Sequence, residues 1–161
     1  MLSNEVRYTN ILCPVDFSET SRKAFYRAVG YARLFGAKLT VLHVREGGPP
    51  GSVDAVENDH LELTRLEEGL VRRLDELEED GKVSREERDR MFLEIRGGKP
   101  WLEILRFAID TQCDLIIMGT HGHTGFRHIF MGSQADRVVR RAPCDVLTIK
   151  PDGYDPKLDL T

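Results

Sequence analysis

The sequence predicts a doubly wound α/β sandwich, an open parallel sheet with helices on both faces. Two observations carry that expectation. Short apolar runs without polar alternation recur along the chain, as strands buried on both faces require. Between them, apolar residues repeat every three or four positions, the mark of helices with one buried stripe. Strand and helix alternate to the end, so right-handed helical crossovers join the strands and make them parallel. A chain of 161 residues fits one domain, here expected to run undivided from 1 to 161.

Asn10–Val15 (NILCPV) is the first strand, and Pro14, which lacks an N–H, predicts that pairing stops there. Ser18 and Thr20 both suit the cap of a first helix. Its stripe is Ala24, Phe25, Ala28, Val29, Ala32 and Phe35, and Gly36 closes it. Lys38–Val44 is the second strand, followed by a loop at Gly47–Ser52 (GGPPGS). Leu63, Leu66, Leu70, Leu74 and Leu77 sketch a second helix, which Gly69 weakens without breaking. The charged stretch Lys82–Arg90 carries capping-box spacing at Ser84 and Glu87, and predicts an extra helical turn or two of unreadable function.

Met91–Ile95 is the third strand. Gly97-Gly98-Lys99-Pro100 then forms a turn that puts Pro100 at the first position of a third helix. From that helix Trp101, Ile104, Leu105 and Ala108 face the sheet. Asp114–Met118 and Val146–Ile149 are the fourth and fifth strands. Between them lie a glycine-rich segment and a last helix, Ser133–Arg141, ended by Pro143. The tail after Pro151 is poor in apolar residues and is expected to be a loosely held extension.

Composition narrows the function classes. No stretch approaches the roughly 20 apolar residues that span a bilayer. Asn4, Glu5 and Arg7 stand where a signal peptide needs its apolar region, so a cytoplasmic protein is expected, with no membrane partner. Basic residues number 23 and acidic residues 27, a net charge of −4, opposite in sign to a dedicated nucleic-acid binder. The local cluster of Arg127, Arg137, Arg140 and Arg141 reads as a solvated helix face. Cys13, Cys113 and Cys144 are scattered and odd in number, which gives neither a disulfide framework nor a zinc site. They read as small buried hydrophobes.

In a doubly wound sheet, ligands sit at the carboxyl ends of the strands, where strand order reverses. The fourth strand runs into Gly119-Thr120-His121-Gly122-His123-Thr124-Gly125. Nine residues separate Gly122 from Gly132-Ser133, which opens a helix. Glycines let a backbone approach an anion closely. A helix start offers unpaired N–H groups and the positive end of a dipole. The plainer reading is a turn shaped by glycine and a helix capped by serine. Two glycine groups, one after a strand and one at a helix start, favour phosphate binding over it. The spacing matches neither the P-loop nor the dinucleotide fingerprint.

Asp16, after the first strand, either caps the first helix beside Ser18 or accepts hydrogen bonds from a ribose hydroxyl or an adenine amine. Val44, after the second strand, offers a backbone amide and carbonyl. His121 and His123 form a His-x-His pair with His128 nearby, but no further ligands stand at matching spacing, so a transition-metal site is not expected. Phosphate contact through His123, with His121 packing the loop, is the better use of them. His43 reads as a satisfied core or edge residue and His60 as solvent-exposed.

These residues carry a resemblance. The segment GTHGHTGFRHIFMGSQADRVVRRAPCDVLTIKP resembles the C-terminal signature of the universal stress protein family. The ATP-binding members of that family show Gly-x2-Gly-x9-Gly-Ser/Thr, met here by Gly119, Gly122, Gly132 and Ser133. The opening NILCPVDFSETS resembles the family's first strand with its acidic residue, which falls on Asp16, and His43-Val44 matches the end of its second strand. The resemblance runs from about Thr9 to Lys150 and implies a five-stranded sheet in order 3-2-1-4-5. It also implies a homodimer through the last strand, Val146–Ile149. It further implies ATP, often with a divalent cation such as Mg or Mn. Asp16 would lie near the ribose, Val44 near adenine and the Gly119–Ser133 loop around the phosphates. Pro14, Val15, Met118, His121, His123, Gln134 and Ala135 complete the implied contact set.

Three departures stand out. His123 occupies a position that is often Arg or Lys, which predicts a phosphate grip that is weaker or sensitive to pH. Gln134 stands where a small apolar residue commonly follows the Gly-Ser. The stretch Lys82–Arg90 is longer than usual.

The resulting expectation is an ATP-binding regulator of the stress response that acts on an unknown protein partner. A slow ATP hydrolase or adenylyl-transferring enzyme is the alternative, with Asp16 and His123 as candidate bases, although Pro14-Val15-Asp16-Phe17-Ser18 lacks the Ser-Gly-Gly or His-x-Gly-His of such relatives. A nucleotide-free interaction module, docking through the last helix or Lys82–Arg90, is the third reading.

Overall fold

The computed structural model describes residues 5–46, 57–121 and 131–154. The expected loop Gly47–Ser52, the side chains of His60 and Leu63, and Gly122, His123, Arg127 and His128 lie outside the described residues. In chain order the elements are β1 (Asn10–Val15), α1 (Glu19–Phe35), β2 (Lys38–Arg45), α2 (Glu57–Glu79), α3 (Arg85–Arg88), β3 (Met91–Gly97), α4 (Pro100–Asp110), β4 (Leu115–Gly119), α5 (Ser133–Arg141) and β5 (Asp145–Ile149). The sheet has five strands in order β3-β2-β1-β4-β5, every pair parallel.

Two apolar cores sandwich this sheet. One joins the α1 stripe (Ala24, Phe25, Ala28, Val29, Ala32) and α2 residues Leu74 and Leu77 to Ile11, Val41 and Ile117. The other joins α4 (Ile104, Leu105, Phe107, Ala108) and α5 (Ala135, Val138) to Leu12, Leu42 and Ile116. Neighbouring strand residues divide between the two cores because successive side chains point to opposite faces. Right-handed crossovers place α1 and α2 on one face while the chain steps outward from β1. They place α4 and α5 on the other once it returns past β1 to β4.

The ends of α1 are fixed locally. Ser18, not Thr20, is the cap, its hydroxyl accepting from the Ser21 N–H at 3.2 Å. Gly36 closes the helix at φ +63°, where a side chain would be strained. The charged stretch forms the single turn α3, with both halves of its capping box made. Val83 is buried under it, Arg88 pairs with Asp75 of α2, and Arg33 of α1 reaches Glu87. Its charges therefore stitch three helices together around one apolar anchor.

Two expectations need correction. Pro14 does not end the pairing of β1: the strand stays in register with β2 through Pro14↔Leu42 to Val15↔His43. Pairing with β4 covers only Ile11↔Leu115 and Leu12↔Ile116. A missing N–H affects a single neighbour, because a strand residue addresses one side of the sheet at a time. The segment after Pro151 is not loosely held as far as Tyr154. The Lys23 ammonium binds the Asp152 carboxylate at 2.5 Å and the Lys150 carbonyl at 3.2 Å, and the Lys150 ammonium lies 4.8 Å from the Tyr154 ring centre.

The cysteines behave as apolar filler. Cys13 and Cys113 are buried and Cys144 is half-buried, all as free thiols. Burial pushes the Cys13 thiol up to about 12 and the Cys144 thiol to about 11, which removes the reactive thiolate at neutral pH.

The Ser84 N–H, helped by Arg33, holds the Glu87 carboxyl below the ordinary carboxylate range. Its stabilising contribution is therefore present above the unfolded value, about 4.3, and lost as pH falls through the folded one. Wild type is expected to melt above Glu87→Gln at pH 7, with the gap closing as the pH falls below the ordinary carboxylate range. Circular-dichroism melts across that range check it, and a gap that persists in acid would assign Glu87 a role of shape rather than charge.

Candidate functional site

At their starts β1 and β4 are bound tightly. The Asp114 carboxylate accepts from the Thr9 N–H (2.8 Å), the Thr9 hydroxyl (2.9 Å) and the Asn10 N–H (3.1 Å). The Asn10 amide donates to the Thr111 carbonyl at 2.7 Å. Beyond Leu12 their pairing ends, and a cleft of about 460 Å³ opens at the carboxyl ends of the strands. This is the reversal point of strand order, where an α/β sheet accepts ligands.

Every predicted site residue in the described part of the chain lines this cleft. Pro14, Val15 and Asp16 come from the end of β1, Val44 from β2, and Met118, Gly119 and His121 from β4 and its exit. Gly132, Ser133, Gln134 and Ala135 come from the start of α5. Four segments distant in sequence thus meet at one place. Gly122 and His123 lie outside the described residues.

The wall opposite α1 is apolar, with Leu42, Val44, Ile104, Met118 and Ala135 drawn from the second core. The rim is polar. The Asp16 carboxylate accepts from the Ser18 N–H at 3.0 Å, and the Asp16 N–H lies 3.3 Å from the Ser21 hydroxyl. The carboxylate therefore braces the entry to α1, which is part of its expected capping role, while Ser18 itself is the cap.

The glycine segment has a closed stem. The Gly132 N–H donates to the Thr120 carbonyl at 2.6 Å, and the Thr120 N–H donates to the Ile149 carbonyl at 2.9 Å. The Thr120 hydroxyl lies 2.7 Å from His121 Nδ1, and His121 stands near the Tyr154 ring, with centres 6.5 Å apart. Gly132 precedes α5 as its N-cap and has no side chain to cap it, so the first-turn N–H groups lie at the cleft end of the helix. Gly119 permits the close approach of α1. A Cβ there would stand 2.8 Å from Thr20 Cγ2 and 3.3 Å from the Thr20 carbonyl carbon.

Several lining residues escaped the sequence reading: Ser21, His43, Arg45, Glu46, Pro100, Ile104 and Thr120. His43 is satisfied, as expected, with Nδ1 donating to the Val15 carbonyl at 2.9 Å, but it belongs to the cleft wall as well. Phe17 covers the other side of its ring at 4.7 Å. Phe17 holds φ at +64°, which costs a non-glycine residue about 1–2 kcal/mol, beside the ligand-facing end of β1. Thr120 could have been found by following β4 one residue past its end, whereas Ser21 lies in the first turn of α1 and His43 within β2. Pro100 and Ile104 gave no local signal, because α4 reaches the cleft only through packing. Among the described residues, no three His, Cys, Asp or Glu side chains stand close enough to hold a metal ion.

Comparison with known proteins agrees with this geometry. Residues 7–150 match the sequence model of the universal stress protein family. A universal stress protein of Methanocaldococcus jannaschii is 34% identical over 148 residues, which cover 92% of this chain and 85% of that one. The structure of the universal stress protein from Lactobacillus plantarum aligns with a TM-score of 0.64 at 31% identity, covering 89% of this chain and 99% of that chain. A universal stress protein from Archaeoglobus fulgidus, in complex with dAMP, aligns with a TM-score of 0.57 at 24% identity, covering 90% of this chain and 100% of that chain.

The Gly119 contact generates a double-mutant test. Gly119→Ala is expected to destabilise by about 1–3 kcal/mol, since its methyl group must displace the start of α1. Adding Thr20→Ser removes the clashing methyl and is expected to restore part of that loss. Urea unfolding of the two single variants and the double variant measures the coupling, and strict additivity would refute the contact.

Proposed function

This chain belongs to the universal stress protein family, and on that premise we propose that its cleft binds an adenine nucleotide, with ATP the expected ligand. The observation that carries this reading is the convergence of Asp16, Val44, the end of β4 and the uncapped start of α5 on one cleft. A volume of about 460 Å³ lies in the range of small-molecule sites. The apolar wall suits a planar base, with the Val44 backbone at its edge, and Asp16 is placed for a ribose hydroxyl. Ser133 and the first-turn N–H groups of α5 supply neutral donors for phosphates, and Gly119 and Gly132 leave room for their approach. A divalent cation, Mg or Mn, would accompany the triphosphate and be held chiefly by its oxygens. The dAMP-bound archaeal protein supports the fold alone, so the nucleotide reading rests on the cleft.

The same reading extends to assembly and role. β5 is an edge strand, and its outer row of N–H and C=O groups is a template for the same strand of a second copy. The working unit is then a homodimer in the cytoplasm, and nucleotide occupancy sets the surface it presents to a protein partner under stress.

Calorimetric titration with ATP and Mg²⁺ is expected to give saturable binding with Kd of about 10 µM or tighter. The absence of heat, together with no nucleotide carried through purification, would remove the proposal. Gly132→Val is expected to weaken binding by about tenfold or more, because its side chain crowds the start of α5. A circular-dichroism melt of that variant separates lost binding from lost folding. Sedimentation equilibrium is expected to return twice the chain mass, and a monomer at micromolar concentration would refute pairing through β5.

A further inference from the structure

Gln134 is the second residue of α5, stands on the wall of the cleft and bridges two helices. Its Oε1 lies 3.1 Å from the backbone nitrogen of Trp101, in the first turn of α4. A backbone N–H can only donate, so the atom facing Trp101 must be the oxygen of the carboxamide and not its nitrogen. The orientation of the amide is thereby settled by chemistry. α4 needs this acceptor, because its own N-cap, Lys99, makes no side-chain hydrogen bond. Gln134 caps α4 from the neighbouring helix.

The nitrogen end of the amide has no such employment. Nε2 makes no hydrogen bond among the described residues, and none of their buried side-chain nitrogens lacks a partner, so Nε2 is accessible, on a residue that lines the cleft. Gln134 directly follows Gly132 and Ser133, so its side chain stands at the α5 end of the cleft that these residues also line. The apolar wall offers a base nothing to match such a donor. A phosphate at the α5 end does match it. The small apolar residue more usual at this position can neither cap α4 nor donate.

We propose that Gln134 is a specificity-determining residue that reads phosphate: with its oxygen tied to Trp101, its Nε2 donates to a phosphate oxygen of the bound nucleotide. This rests on the nucleotide reading of the cleft and deepens it. The amide then forms a relay. An anion at Nε2 polarises the carboxamide and strengthens the bond from Oε1 to the Trp101 N–H. An occupied cleft holds α4 more firmly, and by reciprocity a well-capped α4 favours the phosphate. The ligand class preferred is a nucleoside phosphate over the nucleoside.

Two variants separate the relay from a structural role. Gln134→Glu keeps an acceptor for Trp101 but replaces the donor with a negative charge. Gln134→Leu removes both. Calorimetry with AMP and with adenosine, on wild type and both variants, reads the difference. AMP is expected to bind both variants about tenfold or more weakly than wild type, whereas adenosine binds all three within about twofold. The melting temperature of Gln134→Leu is expected to fall by about 2–4 °C, and that of Gln134→Glu to hold. AMP binding at wild-type strength in both variants would overturn the assignment while leaving the nucleotide site intact. Equal losses for AMP and adenosine would also overturn it, since the side chain would then act on the nucleoside or through the fold. If wild type binds neither probe, the nucleotide reading fails and takes this assignment with it.

Discussion

The cleft depends on how β1 and β4 are held: locked at their starts and parted at their ends. Asp114 gathers the Thr9 and Asn10 donors at one end. Pairing between the strands stops after Leu12 at the other. Strand order reverses here, so no crossover covers the gap: α1 leaves toward β2 and the chain after β4 leaves toward β5. Pro14 reinforces the parting, since it has no N–H with which to extend the ladder. β1 remains bound to β2 throughout, so the opening costs the sheet little.

Around that gap the two faces of the sheet contribute different chemistry. The face carrying α4 and α5 extends its apolar core up to the cleft through Ile104, Met118 and Ala135. The opposite rim carries hydroxyls, a carboxylate and an imidazole, braced by short bonds to backbone: Asp16 to Ser18, His43 to Val15, Thr120 to Ile149. Such bracing fixes polar groups in place before any ligand arrives, which lowers the entropy lost on binding. The strained Phe17 belongs to the same economy, since it keeps the His43 ring covered from outside.

Legibility in the sequence followed the range of the interactions. Ser18, Gly36, Ser84 with Glu87 and Pro100 work within a few residues of themselves, and each marked its boundary correctly. The stripe from Ala24 to Ala32 named the buried face of α1, because helical period alone decides which side chains align. Asp16, Gly119, Gly132 and Ser133 were visible as residues of the cleft since each follows a strand or opens a helix. The contacts of His43 and of the segment after Pro151 were not legible, for a common reason. What binds them is remote in sequence: the Val15 carbonyl for one and Lys23 for the other. Gln134 showed as an oddity in its motif, but its partner Trp101 stands on another helix.

By itself, then, the sequence determined the alternation of strand and helix, the caps, the apolar stripes and the family pattern of glycines. All of these are set by the period of the backbone and by contacts a few residues long. Only the tertiary structure decided where β1 and β4 part, which face each helix covers, and which way the amide of Gln134 points. Those outcomes rest on hydrogen bonds and packing between segments tens of residues apart, and no local pattern encodes a partner at that distance.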